Sequence, residues 1–431
     1  GYYMSVNQFE CLIPPPFCQM LGAFGFAGAG VAVLERDKML AGLPALVIYF
    51  DLEPVNPGFG GLLPADLDGP PPPTGTPNFF VAMNDNPDQL NIWEFHADFA
   101  NPNNSTFGLN GMPNTTLSTA PFDSDLCNFD RECIPQRGTR QRLDALSDRL
   151  MHRLQFRDFG DHWAMVTNHT VNTGNDHAGI RWYELRNSGS GWTIFQQGTY
   201  APDEHHRWMG SIAMDKDGNI ALGYSVSSSS LFPSIRYAGR EPGDPPGTLP
   251  QGEVTIMSGG GSQTGADRWG DYSAMMIDPT DDCTFWYTQE YYAQTGGLSG
   301  IGWRTRIASF RFPSCGPGGL VLTQGSLVRG QDVQLQVTGA QPGETVHFLM
   351  SLKGTGSGPC VPQLGGLCLD LLLPIQILGS VPADESGTAT LTETVPASAP
   401  PGVEVSTQAV VQRGPGGADS QKSNFITDSI Q

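Results

Sequence analysis

The chain has 431 residues, of which 15% are charged, and its formal net charge at pH 7 is −20. Such a surface repels nucleic-acid phosphates and anionic lipids, because it offers no basic patch to displace their counterions. The sequence contains no apolar run of about 18 residues, the minimum for a transmembrane helix. We therefore expect neither nucleic acid nor a membrane span, whereas the acidity suits solubility or divalent cations.

Composition favours β-structure. Glycine (54 residues) and proline (35 residues) supply turns, and 39% hydrophobic residues suffice for a core. Apolar residues at helical spacing are scarce, and the best helix candidate lies over residues 139–152. Short apolar and aromatic runs between turn signals predict an all-β chain.

The cysteines fall into four pairs of sequence neighbours. These pairs are Cys11/Cys18, Cys127/Cys133, Cys283/Cys315 and Cys360/Cys368. An even number of cysteines in local pairs is typical of disulfides formed in an oxidising compartment. A zinc site would instead need convergent CxxC-type pairs, which the sequence lacks. We predict disulfides and an extracellular or cell-surface location.

Three segments, at 157–165, 207–215 and 268–275, share an arginine, a glycine and an Ala-Met pair. Their separation of about 50–60 residues is that of β-propeller blades with loop insertions. The same template fits upstream, where residues 2–9 match a blade's second strand. Residues 1–315 are thus predicted to form about five propeller blades, the first incomplete because its first strand would precede Gly1. Two packed sheets instead of a ring are the alternative.

The composition changes near residue 316. Tryptophan does not occur beyond residue 303, and short alternating runs follow at 332–337, 345–350, 388–392 and 403–411. Evenly spaced short strands predict an immunoglobulin-like β-sandwich over residues 316–431. The Cys…Trp…Cys pattern of antibody domains is missing, so the prediction concerns architecture alone.

Several sequence segments resemble those of a known group of proteins. Residues 206–215, 268–275 and 283–291 resemble bacterial secreted β-propeller proteins of uncharacterised function with a C-terminal immunoglobulin-like β-module. In that group, the strand similar to residues 1–9 lies well inside the chain. Residues 356–360 and 368–370 are similar to small β-modules that end bacterial exported proteins. The resemblance implies export and a propeller with further N-terminal blades, and it supplies no catalytic residues.

A calcium loop is one interpretation of the turn at residues 215–219. Asp215, Asp217 and Asn219 place oxygen ligands at alternate positions around Gly218. The glutamate that closes an EF-hand loop is absent, and a plain Asp-Gly hairpin turn explains the same residues. Both interpretations stay open, and calcium is the one cofactor that the sequence suggests.

Six polar residues lie at or before predicted first strands, which line the central channel of a propeller. They are Asp161, His162, His206, Arg207, Arg268 and Asp271. Together they are candidates for a polar ligand site at the funnel or for a hydrolase acid/base set. The alternative is a structural ion-pair network between blades, because similar residues recur from repeat to repeat.

Two classes of function follow from these patterns. The favoured hypothesis is a non-catalytic secreted or cell-surface platform for recognition or extracellular assembly. Its expected partners are a completing N-terminal segment, other copies of itself as in a filament, a glycan or a surface protein. The alternative is a secreted hydrolase of glycans or phosphoesters with its site at the funnel. The Gly-x-Ser-x-Gly elbow, the zincin motif and the sialidase box are all absent.

Overall fold

The computed structural model describes residues 1–13, 22, 24–296, 302–312, 314–315, 320–418 and 420–431. The chain is all-β, and these described residues contain one α-helix, α1 (Arg36–Leu40). Short 3-10 turns occur at Pro102–Asn104, Cys127–Phe129, Pro362–Leu364 and Pro415–Gly417. The chain divides into two compact units, unit 1 (Gly1–Phe312) and unit 2 (Pro313–Gln431).

The helix predicted over residues 139–152 is wrong. These residues form a loop that leads into a strand beginning at Met151, and Leu143 makes a β-bridge with Ile134. Leu143, Ala145 and Leu146 are all buried in one hydrophobic cluster with Trp208 and Trp269. These tertiary contacts, together with the bridge to Ile134, hold the segment as an irregular loop.

Unit 1 has four sheets in its described part. Sheet 1 contains β1 (Tyr2–Cys11), β2 (Phe24–Leu34) and β3 (Val47–Asp51). Sheet 2 contains β4 (Leu63–Leu67), β5 (Asn78–Asp85), β6 (Asp88–His96), β7 (Thr106–Phe107), β8 (Thr115–Ser118), β9 (Met151–Asp158), β10 (Trp163–Asn172), β11 (Ala178–Asn187) and β12 (Thr193–Tyr200). Sheet 3 contains β13 (His206–Met214), β14 (Ile220–Ser228), β15 (Leu231–Arg240) and β16 (Glu253–Met257). Sheet 4 contains β17 (Ala274–Ile277), β18 (Phe285–Tyr291) and β19 (Arg304–Phe310).

Sheet 2 consists of two antiparallel meanders, β5–β8 and β9–β12, joined through β4. Strand β4 pairs antiparallel with β5 and parallel with β9, each over only two or three residue pairs. With sheets 1, 3 and 4, unit 1 therefore has five antiparallel meanders in chain order. Sequential hairpin connections of this kind need only short turns, which matches the abundance of glycine and proline.

The five meanders pack face to face in chain order. On β5, Phe80 packs against sheet 1, whereas the preceding Phe79 packs against β9–β12. On β13, Ile212 contacts the cluster shared with β10 and β11, whereas Ala213 contacts sheet 4. Successive side chains of a strand point to opposite faces, so each interior meander buries apolar residues on both sides.

Unit 2 contains two antiparallel sheets and a small hairpin in its described residues. One sheet is formed by β20 (Val321–Gln324), β21 (Asp332–Thr338) and β26 (Ala389–Thr394). The other is formed by β22 (Thr345–Ser351), β25 (Ile375–Pro382), β27 (Glu404–Val411), β28 (Gln421–Lys422) and β29 (Ile426–Ser429). The hairpin is β23 (Cys360–Val361) with β24 (Leu367–Cys368). Val333 and Leu335 of one sheet share a core with Val346 and Phe348 of the other.

Disulfides hold loops in both units. Cys127–Cys133 and Cys360–Cys368 are bridged, and both are pairs that the spacing predicts. Cys283 and Cys315 are each disulfide-bonded too, as the spacing predicts. Cys11 is disulfide-bonded as well, while its predicted partner Cys18 lies outside the described residues. Such short loops add about 2–3 kcal/mol each in the chain-entropy model.

Candidate functional site

Arg207, at the start of β13, is a fully buried residue at the centre of an ion-pair network. Its Nη1 and Nη2 donate to the two carboxylate oxygens of Asp203 at 2.8 and 3.0 Å, and Nη1 also donates to the His205 carbonyl. Its Nε donates to Glu253 at 2.8 Å, and that carboxylate also accepts from Tyr224 and Arg236. No part of the Arg207 side chain is exposed. These contacts match the structural ion-pair network that stands as the alternative for Arg207, and its role in binding a ligand at the funnel stays a prediction.

Two further arginines link meanders through ion pairs. Arg157 of β9 donates at 2.7 Å to Asp282, in the turn before β18. Arg153, also on β9, pairs with Asp66 and Asp68 near β4. Both arginine side chains are almost completely buried. These contacts match the ion-pair network that stood as the structural alternative for the repeated arginines.

Two of the other candidates, Asp161 and His162, lie on a turn, whereas His206 begins β13. Asp161 and His162 lie in the β9–β10 turn, where their side chains bond to each other at 2.7 Å. His206 accepts a hydrogen bond from the Ala178 amide at 3.2 Å. Burial, with the nearby His177, lowers the pKa of His206 to about 4, so this ring is neutral at pH 7. Asp161 and His162 line a shallow cavity in the β9–β10 turn together with Trp163 and Asn187.

Arg268 and Asp271, in contrast, lie together at a cavity of about 570 Å³. The Arg268 guanidinium donates from Nε to Asp271 Oδ1 at 2.6 Å and from Nη2 to Oδ2. The cavity, named here the Glu290 cavity, is lined by the loop before β17, by β18 and by the approach to β19. Its volume is within the range of small-molecule sites, roughly 300–1,000 Å³.

Glu290 is the residue that sequence reasoning missed at this cavity. It lies on β18 and is only 8% exposed, and within the described residues no hydrogen bond reaches its carboxyl oxygens. Burial, reinforced by the Asp271 charge, raises the pKa of Glu290 to about 7. A carboxyl poised in this way can donate or accept a proton near neutral pH.

The backbone beside Glu290 requires a glycine. Gly270 has φ +55°, and a Cβ placed on it would lie 2.9 Å from both Cδ and Oε2 of Glu290. A side chain at Gly270 would thus be strained and would displace the carboxyl. The lining also includes Trp303, which is 54% exposed. The cavity therefore combines an unpaired carboxyl, an Arg–Asp pair and an exposed aromatic ring.

The predicted calcium loop forms a tight hairpin turn between β13 and β14. Asp215 Oδ1 accepts from the backbone amides of Asp217 and Asn219 at 3.0 and 2.9 Å, and Oδ2 accepts from the Asn219 amide side chain at 2.8 Å. Burial raises the pKa of Asp215 to about 6. This is the bonding of an Asx-type turn. Calcium at Asp215, Asp217 and Asn219 stays a prediction.

Asp217 also lies near the sulfur atom of Cys283. One of its carboxylate oxygens is within 4.8 Å of the Cys283 Sγ. Metal binding by cysteine needs a thiolate, whereas Cys283 is disulfide-bonded. We therefore assign no metal to this pair.

His169 is a buried histidine whose replacement tests the pH dependence of stability. Burial, with the nearby Arg181 charge, lowers the pKa of His169 to about 3, and its Nε2 lies 3.0 Å from the Tyr183 hydroxyl. The native state keeps the ring neutral, while the unfolded state protonates it below pH 6.5. The free energy of unfolding that the neutral His169 ring contributes is therefore lost as pH falls from 6.5 towards 3, by roughly 1 kcal/mol per pH unit.

We expect His169→Gln to flatten this part of the pH dependence relative to the native chain. Urea unfolding at pH 7.5 and at pH 5 measures the difference. His96→Gln provides the comparison, because it makes the same substitution at a histidine whose side chain is about half exposed. Parallel pH profiles for the native chain and His169→Gln would contradict the prediction.

The comparisons with known proteins identify no family. No protein-family model and no curated protein matches the chain. A fungal alcohol oxidase of the AA5 family, in complex with copper, is 9% identical over 94% of this chain and 83% of its own, with a TM-score of 0.27. The GH43B protein of a Bacteroides ovatus xyloglucan locus is 7% identical over 85% and 89%, with a TM-score of 0.19. Salmonella alpha-2-macroglobulin reacted with methylamine is 9% identical over 94% and 35%, with a TM-score of 0.20. Overlaps this low support neither a fold nor a function.

Within the described residues, no helix has the length and apolarity needed to cross a bilayer.

Proposed function

We propose that this is a secreted or cell-surface protein, related to the exported bacterial proteins that it resembles, and that it acts as a non-catalytic platform for recognition or assembly. In this proposal, residues 1–315 form an arc of β-propeller blades and residues 316–431 form an immunoglobulin-like module. The face-to-face stack of five meanders supports the first part, and the shared core of two antiparallel sheets supports the second. The disulfides support an oxidising location.

The outer face of sheet 1 is the observation that carries the platform role. It presents Tyr2, Met4 and Val6 of β1 beside Val47 and Tyr49 of β3, each between 42% and 57% exposed. The opposite face of the same sheet is buried against β5 and β6. An exposed, contiguous apolar face of this kind is typical of an interaction site. A further β-sheet, from the same protein or another copy, is the partner that fits the stacking seen throughout unit 1.

Charges on this face are expected to weaken assembly. The double substitution Met4→Glu and Val6→Glu places two carboxylates where a partner sheet would bury them, so the dissociation constant should rise at least about tenfold, or roughly 1.4 kcal/mol. Light scattering coupled to size exclusion, over a range of concentrations, measures the change. Met39→Glu is the matched control, because Met39 is equally exposed but lies on α1. A native chain that stays monomeric throughout would count against assembly through this face.

Hydrolysis of a glycan or a phosphoester is a second candidate function. The Glu290 cavity favours it, because a carboxyl with a pKa near 7 beside an arginine-paired carboxylate provides the groups of an acid/base pair. Turnover of nitrophenyl glycosides and nitrophenyl phosphate tests this function. Activity that is lost in both Glu290→Gln and Asp271→Asn would establish it, and an inactive native chain would reject it for these substrates.

A further inference from the structure

The Glu290 cavity holds a buried polar group that lacks a partner. Glu290 is more than nine-tenths buried, and within the described residues its carboxyl oxygens receive no hydrogen bond. The side chain of the neighbouring Gln289 bonds elsewhere: its Oε1 accepts from the Glu290 backbone amide at 2.8 Å and its Nε2 donates to the Met209 carbonyl at 3.3 Å. A ligand that donates a hydrogen bond into the cavity would give this carboxyl the partner that the described residues do not supply.

The charges at the cavity favour a neutral ligand. Arg268 donates from Nε and Nη2 to Asp271, and its side chain is 56% exposed. Its positive charge would therefore repel a cation that enters the cavity. An anion would instead meet the carboxyl groups of Glu290 and Asp271. Hydroxyl groups avoid both conflicts, because each of them donates one hydrogen bond and accepts others.

An aromatic ring completes the lining. Trp303 contributes to the same cavity and is about half exposed, which leaves its indole surface available for apolar contact. Rigid aromatic side chains give large contact areas at low entropic cost. A ligand with hydroxyl groups at its edge and C–H groups on its faces matches this combination of carboxyl, guanidinium and indole.

We propose that the Glu290 cavity binds a neutral sugar unit of a glycan, with the Glu290 carboxyl accepting from a ligand hydroxyl and the Trp303 indole covering an apolar face of the sugar ring. This inference names the ligand class of the recognition role proposed above and rests on that role. It commits to a neutral polyhydroxylated ring, and not to a metal ion, an organic cation or a phosphate.

The test uses the full chain with named probes. Glucose, galactose, mannose, xylose, N-acetylglucosamine and short oligomers of each are screened at millimolar concentration by saturation-transfer NMR, and any that bind are titrated by calorimetry. At least one saccharide is expected to bind, and Glu290→Ala and Trp303→Ala are each expected to weaken it at least about tenfold. Trp286→Ala is the matched control, since Trp286 is an exposed tryptophan of β18 outside the cavity.

Folding and ligand class are checked in parallel. Unfolding temperatures of the variants show whether lost binding reflects lost structure, and Glu290→Gln, which keeps an acceptor oxygen, is expected to retain more affinity than Glu290→Ala. The proposal is overturned if no saccharide binds, or if tetramethylammonium or inorganic phosphate binds in a Glu290-dependent way where saccharides do not. A saccharide that is bound and then hydrolysed would overturn the non-catalytic role while supporting this site.

Discussion

Arg207→Ala is expected to lower the free energy of unfolding by about 3–5 kcal/mol, the usual cost of removing one partner from a buried ion pair. The substitution removes the donors to Asp203, to the His205 carbonyl and to one oxygen of Glu253. Glu253 would then remain half-buried with only Tyr224 and Arg236 to bond its carboxylate. Urea unfolding followed by tryptophan fluorescence measures the loss.

Two variants separate charge from geometry at this network. Arg236→Ala removes a more exposed partner of the same Glu253, so its cost should be nearer 1 kcal/mol. Arg207→Lys keeps the charge but cannot form the two parallel bonds to Asp203, so we expect it to recover only part of the stability. If Arg207→Ala cost no more than Arg236→Ala, the network would not be a main determinant of the stability of sheet 3.

Local chemistry explains why the strands could be predicted. The runs at 332–337 and 345–350 are predicted strands, and they are β21 (Asp332–Thr338) and β22 (Thr345–Ser351). Each is a short run of β-formers between turn residues, so neighbouring residues alone determine its conformation. The failed helix over residues 139–152 shows the limit, because contacts with Trp208 and Trp269 overrode the local pattern.

The aligned arginines show that the spacing of a sequence repeat does not determine where each repeated residue lies in the fold. Residues 207–214 lie within one strand, β13, whereas residues 157–165 span the hairpin between β9 and β10, and residues 268–273 precede β17. Arg157 therefore pairs with Asp282, 125 residues away, whereas Arg268 pairs with Asp271 in its own loop. A repeat in sequence indicates similar modules, but the partner of each charge depends on how the modules pack.

The Glu290 cavity was only half predictable. Arg268 and Asp271 were among the expected binding residues, and both line it. One feature of the sequence points to Glu290: it is a charged residue in an aromatic strand, between the buried residues Gln289 and Tyr291. Trp303 belongs to none of the repeated sequence segments. It lies just before β19, and only the fold brings it to the cavity. Convergence of three segments is a tertiary property that linear spacing does not encode.

The packing of sheet 3 on sheet 4 gives the second large expected effect. Gly223 of β14 lies against the ring of Tyr287 of β18, and a Cβ at Gly223 would come within 2.5–2.6 Å of three ring atoms. Tyr287 is fully buried, and its hydroxyl donates to Ser273 at 3.1 Å, so the ring cannot retreat without losing that bond. Gly223→Ala is therefore expected to destabilise unit 1 by about 1–3 kcal/mol, the cost of overpacking.

A double-mutant cycle tests whether this steric contact is the cause. Tyr287→Leu alone should cost about 3 kcal/mol through lost burial, but it also makes room beside Gly223. The loss of unfolding free energy in the double variant Gly223→Ala/Tyr287→Leu should therefore be smaller than the sum of the losses in the two single variants, by roughly 0.5–3 kcal/mol. Gly243→Ala is the control, because no atom lies within 4 Å of a Cβ at that position. Additive costs would mean that sheets 3 and 4 are not in close contact at Gly223, and the face-to-face stacking of the meanders would fail at this interface.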